Sequence, residues 1–309
     1  MTLVQPPMLT HGGTHPARAF RMMVRDLARG NQGVTEANDL KVRQLSTPGA
    51  GVRVGDGSSV IRGAAWGQGS YTQYNVGDAI VPVAPTGASG RSDLLVQRIE
   101  DPEYEGNRDP AKDDIGYFQV IPNVSATATA VPAGMTAIPL ARLDIPSNTA
   151  TITDAMIKDL RKIANPRRER RLYTSFPGSL STLVYQDNKW HTWPAAARWT
   201  IPVPDWAVNL KAVTTFAGLR MSDADVFASM QQVIGTVQGQ NTVIDDDQGK
   251  NVRRSTIVLA DNIGITATMR GTNQTLYVQT YMSKSETGNL GVDGSTSIVC
   301  DVEFNEGVI

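Results

Sequence analysis

Apolar and polar residues alternate with a period of two along most of this chain. That period sends successive side chains to opposite faces of an extended strand. Residues 40–45, 51–55, 58–63, 70–76, 93–100, 116–121 and 136–144 read as strands of a first β domain. Asp56-Gly57 between the second and third of these reads as a hairpin turn. Pro139 suits an edge or a strand start, and residues 101–114 read as a polar loop. Residues 199–203, 209–216, 252–259, 263–269, 275–281 and 297–304 alternate in the same way and suit a sandwich or jelly roll. Residues 223–233 fit either a strand or a helical turn.

Two segments have helical spacing instead. In residues 16–30, Phe20, Met23, Val24 and Leu27 form an apolar stripe, with Arg18, Arg21, Arg25 and Arg29 largely on other faces. Pro16 at the start and Gly30 at the end punctuate a helix; a strand over residues 20–27 is the alternative. In residues 153–164, Met156, Ile157, Leu160, Ile163 and Ala164 share a face, and Asn165-Pro166 stops the pattern. The predicted fold is mostly β, with two β-sandwich or jelly-roll-like domains joined by a short α-helix. The predicted divisions are an arm and short helix over 1–38, an N-terminal β domain over 39–150, helix and linker over 151–189, and a C-terminal β-sandwich over 190–309.

Composition narrows the function. In 309 residues, 29 Lys plus Arg against 30 Asp plus Glu give a net charge of -1, which exerts no long-range pull on nucleic acid or anionic membrane. The 28 glycines, 17 prolines and 6% aromatic content favour a turn-rich β architecture over a helical enzyme. Cys300 is the single cysteine, so no intrachain disulfide forms. It shares parity with Ile298, Val302 and Phe304, which predicts an inward, buried thiol. Residues 1–7 have neither the basic nor the apolar region of a signal peptide. No apolar run approaches the roughly 20 residues of a membrane span. The expectation is a soluble protein made in the cytoplasm.

Candidate chemistry is sparse. Of three histidines, His11 and His15 lie in a Gly/Pro-rich arm, where a metal pair is less natural than solvated side chains. Asp245-Asp246-Asp247 lacks the ligand spacing of a calcium loop, and Asp109, Asp113 and Asp114 read as turn residues. Glu100, Asp101, Glu103 and Glu105 carry acids for a glycosidase pair, but Asp-Pro-Glu is turn chemistry. Arg167-Arg-Glu-Arg-Arg171 lacks the interleaved aromatics of a nucleic-acid site. It is expected to solvate a helix end or to pair with acids of a neighbouring subunit. Trp190, Trp193, Trp199 and Trp206 offer either a glycan-stacking group or core and interface packing, the second being favoured. No catalytic residue, cofactor or metal is expected.

The order of segments carries a family resemblance. Gly51-Val-Arg-Val-Gly55, Val60-Ile-Arg-Gly63, Ser70-Tyr-Thr-Gln-Tyr-Asn75, Arg91-Ser-Asp-Leu-Leu-Val-Gln-Arg-Ile-Glu-Asp-Pro102, Ile138-Pro-Leu-Ala-Arg-Leu-Asp144 and Thr151-Ile-Thr-Asp154 resemble the N-terminal module of minor tail, baseplate or fibre-like tail-tip proteins of long-tailed actinobacterial phages. Trp199-Thr-Ile-Pro-Val-Pro-Asp-Trp206 and Val299-Cys-Asp-Val-Glu-Phe304 resemble that family's C-terminal β domain. The resemblance implies a virion structural protein of the tail tip, made in the host cytoplasm. It implies tail assembly, host attachment and a symmetric homo-oligomer, a trimer being favoured. The expected partners are other tail-tip or baseplate proteins, with a host-envelope glycan as the adhesin alternative. The face formed by Met156, Ile157, Leu160 and Ile163 is then expected to pack against the same helix of neighbouring copies or against the flanking domain.

Overall fold

The computed structural model describes residues 11–13, 15–183 and 187–309. The chain is mostly β, as its patterning predicts. It divides into two compact units, Met1–Pro166 with Val308–Ile309, and Arg167–Gly307.

Unit 1 begins with helix α1, Ala17–Leu27. Its strands are β1 (Gly33–Val34), β2 (Val42–Gln44), β3 (Gly51–Val54), β4 (Gly57–Arg62), β5 (Ser70–Asn75), β6 (Ala79–Pro82), β7 (Arg91–Ile99), β8 (Gly116–Val124), β9 (Ala137–Ile145) and β10 (Ile157–Asp159). They form three antiparallel sheets ordered β1-β4-β5, β2-β3-β6 and β10-β9-β7-β8. Inward residues of all three meet in one core that includes Val34, Ile61, Val52, Val81, Leu95 and Leu143. Strand β7 is buried on both faces, since Val131 and Met135 cover Leu94 and Val96 on the side away from that core.

Two expectations for this unit are corrected. Residues 153–164 are not a helix. A 3-10 turn over Asp154–Met156 leads into β10, whose Ile157 to Asp159 pair with Leu143 to Ala141 of β9. Met156, Ile157 and Ile163 pack on the unit 1 core, and Leu160 packs beside Leu94 and Val96. Their apolar side is spent inside the unit, so no central oligomerisation helix exists. The competing force is ladder pairing with β9, together with a parallel bridge from Ile163 to Val34. Nor does Asp56-Gly57 close a hairpin. Strand β3 pairs with β2 and β6, while β4 pairs with β1 and β5. Gly57 has φ 145°, and a Cβ there would lie 2.5 Å from the Asp39 Cα. Only glycine lets the chain turn from one sheet to the next at that point.

Unit 2 contains β11 (Arg168–Ser175), β12 (Ser181–Leu183), β13 (Trp190–Thr192), β14 (Arg198–Pro202), β15 (Ala207–Ser222), β16 (Val226–Ile234), β17 (Val237–Gln238), β18 (Thr242–Asp246), β19 (Arg253–Gly264), β20 (Asn273–Met282), β21 (Asn289–Val292) and β22 (Ser297–Glu306). The pairs β11/β12, β13/β14, β17/β18 and β21/β22 each occupy one strand position in two pieces. Numbering the resulting positions along the chain, one sheet reads 1-8-3-6 and the other 2-7-4-5. This is the strand order of a jelly roll. The inner faces interleave, Phe216, Leu259 and Ile298 of one sheet meeting Met230, Val278 and Met282 of the other. Further along, Leu210, Val302 and Phe304 meet Ile234 and Leu276.

The predicted linker over 165–189 therefore carries two strands of the jelly roll, and the observed division falls at Pro166 rather than at 150 and 190. The basic run is not at a helix end. In β11 Arg170 pairs with Asp301 and Arg171 with Glu169, while Arg167, just before it, pairs with Glu306 at 2.6 Å. The acids that hold it belong to its own unit. Of the ambiguous segment 223–233, residues from Val226 onward are strand, and Cys300 points inward beside Ile298, Val302 and Phe304, all fully buried. Burial pushes the Cys300 thiol up to about 11, so it is not a reactive thiolate at neutral pH.

Candidate interaction site

Helix α1 is present where Pro16 and Gly30 predict it, but it is turned inside out. Its arginine face, not its apolar face, lies against unit 1. Arg18 donates to the Tyr104 hydroxyl at 2.9 Å and to Glu103 at 2.6 Å. Arg21 donates to the Gln68 carbonyl at 2.9 Å and to Glu103 at 2.5 Å, and lies 3.3 Å from Asp101. Its guanidinium is 5.5 Å from the ring centroids of both Tyr71 and Tyr104. Arg25 stands 5.1 Å over Trp66. Planar guanidinium groups suit this combination of carboxylate pairing and ring stacking.

The seat is itself braced. Tyr71 donates to Asp101 at 2.7 Å, and Gln68 donates to Tyr71 and Thr136 at 3.0 and 3.1 Å. Burial, then the hydrogen bond to Asp101, pushes the Tyr71 hydroxyl well above the ordinary phenol range, so it stays a donor. Gly69, at φ 80°, allows the helix backbone to approach, because a Cβ there would meet Arg21 main-chain carbon at 2.6 Å.

The hydrogen bond from Arg21, with smaller contributions from Tyr104 and Arg18, holds Glu103 below the ordinary carboxylate range. A carboxylate depressed in the folded state adds stability above its unfolded value and loses it as pH falls through the folded value. The seat should therefore weaken as pH drops below about 4.3, the ordinary glutamate value. Hydrogen exchange across residues 17–27 should accelerate there before exchange in β7 and β9 does. Simultaneous acceleration in all three would contradict a helix held by these ion pairs.

With its arginines inward, α1 turns Phe20, Met23 and Leu27 outward, Leu27 being 72% exposed. Spacing of i, i+3 and i+7 puts the three on one line of the helix. Beside the helix C-terminal end, a groove of about 400 Å³ is lined by Trp66, Val131, Pro132, Ala133, Met135 and Ala137, with Arg25, Gln32 and Arg62 at its rim. Trp66 is 70% exposed.

The residues singled out by sequence behave differently. Trp193 is buried in one jelly-roll core cluster, Trp206 packs on the other, and Trp199 touches both. The Arg167 guanidinium lies 5.5 Å over Trp206. Trp190 is outside both clusters and tilts against Tyr281 at 5.8 Å. Packing therefore accounts for most of this group. The acids 100–105 are each matched to an arginine, Glu100 to Arg108, Asp101 and Glu103 to Arg21, and Glu105 to Arg98. A hydrogen bond from Tyr117, then one from Arg108, holds Glu100 below its usual range, the opposite of what a general acid needs. Asp246 is paired with Arg253, and Asp109 with Lys112 at 2.9 Å. His15 lies edge-on to Phe20 at 6.2 Å. Among the described residues, no group of three or more His, Cys, Asp or Glu is placed to hold a metal ion, and no helix is long and apolar enough to cross a membrane.

Comparison with known proteins adds little to this geometry. No family model matches the chain, and no curated protein matches it in sequence. Among solved structures, that of the infectious bursal disease virus Gx strain is 10% identical, with 91% of this chain and 76% of that chain covered, at a TM-score of 0.26. The infectious bursal disease virus VP2 subviral particle is 9% identical, covering 91% of this chain and 77% of that one, at 0.25. Insecticidal delta-endotoxin Cry8Ea1 from Bacillus thuringiensis is 12% identical, covering 90% and 52%, at 0.24.

That α1 presents its apolar face outward is not legible from its own residues. The stripe itself was visible, but its direction depends on Glu103 and Tyr104, which lie 82 to 86 positions away from Arg18 and Arg21.

Proposed function

We propose that this chain is a structural subunit of a phage virion, placed at the tail tip, which acts in tail assembly and host attachment and not by catalysis. The observation that carries the reading is the use of its ionisable side chains. Glu100, Asp101, Glu103, Glu105, Asp301 and Glu306 are all matched to arginines that tie strands, turns and α1 together. Such matching makes the β units rigid and leaves none of these six acids without a cationic partner. The jelly roll supports the same reading by analogy, since viral capsid and lectin domains are built on it. The tail-tip placement rests on the sequence resemblance in both halves of the chain. Its partners are other tail-tip or baseplate proteins and further copies of itself, the trimer being the favoured assembly.

A carbohydrate-binding role for unit 2 is the second reading. Trp190 and Tyr281, tilted together outside the core clusters, are the aromatics that favour it. Gold-labelled antibody against the purified chain tests the main reading on particles from the source lysate. Label confined to tail tips is expected. Free protein in the lysate with bare particles would overturn the virion placement and bring the soluble carbohydrate-binding reading forward.

A further inference from the structure

We propose that the outward face of α1 seats in the Trp66 groove of a second copy of this chain, so that copies join head to tail. This deepens the assembly reading and rests on it only for the setting in the virion. The helix has the anchor pattern by which amphipathic helices enter apolar grooves, with Phe20, Met23, Val24 and Leu27 at i, i+3, i+4 and i+7. Among the described residues Phe20, Met23 and Leu27 stay exposed on this face, with His15 edge-on to Phe20, because α1 is fixed by its opposite, arginine-bearing side. An isolated helix of 11 residues is marginal in water, so an ion-paired seat that exposes the apolar side makes sense where another surface covers that side.

The groove has matching chemistry. Trp66, Val131, Pro132, Ala133, Met135 and Ala137 are the apolar part of a lining whose exposed surface is more polar than apolar, and exposed Arg62 belongs to its polar part. Arg62 reaches only the Gly30 carbonyl, at 3.4 Å, and makes no ion pair among the described residues. Beside the helix stripe, Asp26 is 73% exposed and approaches its neighbour Arg25 no closer than 4.0 Å. An acid flanking the stripe and a base at the groove rim complement each other between copies, and this identifies the occupant as a second copy. Stripe and groove are different surfaces, so each copy gives its helix to one neighbour and receives a helix from another. A heterologous contact of this kind closes into a ring when its rotation permits.

Light scattering on the purified full chain, with circular dichroism as the folding control, tests this. The wild type is expected as a closed oligomer, and Leu27→Asp as a monomer with unchanged β signal. Leu27 is exposed in the protomer, so its replacement has no core to damage. Asp26→Arg or Arg62→Glu alone should raise the dissociation constant by roughly tenfold, and the two together should recover most of the loss. A monomeric wild type, an unchanged mass for Leu27→Asp, or a double variant no better than the single ones would overturn the contact. Particle labelling stays independent of these outcomes. A monomer that still labels tail tips sinks the contact and leaves the virion reading intact, whereas an intact oligomer absent from particles does the reverse.

Discussion

Replacing Arg161 with methionine should strip unit 1 of on the order of 3 kcal/mol, because main-chain carbonyls lose their donor while Asp159, itself exposed, is rehydrated. The Arg161 side chain is fully buried. Its Nε and one terminal nitrogen donate to the Asp159 carboxylate at 3.0 and 2.8 Å. The other terminal nitrogen donates to the Ala37 and Asp39 carbonyls at 3.2 and 2.6 Å, and a further bond reaches the Ile309 main-chain oxygen at 3.1 Å. One guanidinium thus holds β10, the turn before β2 and the last residue of the chain. Methionine fills similar volume but leaves these oxygens without donors. Lysine should rescue only part of the loss, because an ammonium on a single stem cannot span the positions that a planar fork reaches. Typical total stabilities are about 5–15 kcal/mol, so the urea midpoint of unit 1 should fall by roughly 2 M. Hydrogen exchange in β2 and β10, followed against urea, reads this directly. A shift below about 0.3 M would mean that water replaces the guanidinium without cost.

The same residue explains what the sequence could and could not reveal. Strands β3, β4, β5, β7, β8 and β9 stand within a few residues of the positions where period-two patterning puts them, because each has one face on a core. The parity argument for Cys300 holds for the same reason, and so do Pro16 and Gly30 as the punctuation of α1. Residues 153–164 failed because Met156, Ile157, Leu160 and Ile163 satisfy a helical stripe as well as they satisfy a strand and turn. The deciding partners are the β9 ladder and Val34, and the carbonyls that claim Arg161 from 122 to 148 positions away add to them. Nothing local registers such distant acceptors. Asp56-Gly57 misled in a similar way. The dipeptide does turn the chain, but the turn leads out of one sheet and into another because β4 finds β1 and β5. The candidate site was the least visible part. Its stripe is readable from spacing, while its exposure is set by carboxylates and tyrosines distant in sequence.

Gln232→Glu should be the most damaging single change in unit 2, costing on the order of 3–5 kcal/mol near neutral pH. Gln232 lies between the two jelly-roll sheets and is fully buried. Its oxygen accepts from the Thr214 hydroxyl at 2.7 Å. Its nitrogen donates to Asp261 at 2.7 Å and to the Ala212 and Leu259 carbonyls at 3.2 and 3.3 Å. A glutamate is nearly the same shape, yet it removes every one of those donors and sets a second carboxylate against Asp261. Burial and like charge both raise the pKa of the introduced acid. Its penalty is therefore greatest above that raised value and shrinks as pH falls through it, when the protonated acid can again donate to Asp261. Gln232→Leu provides the contrast, since it also leaves Thr214, Asp261 and two carbonyls unmatched but adds no titrating group. Four of the five tryptophans belong to unit 2, so their fluorescence follows its unfolding. Denaturation at about pH 5 and pH 8 should show the glutamate variant recovering in acid relative to the leucine variant. Parallel losses at both pH values would mean that shape and packing, not the donor set of this amide, hold the two sheets together.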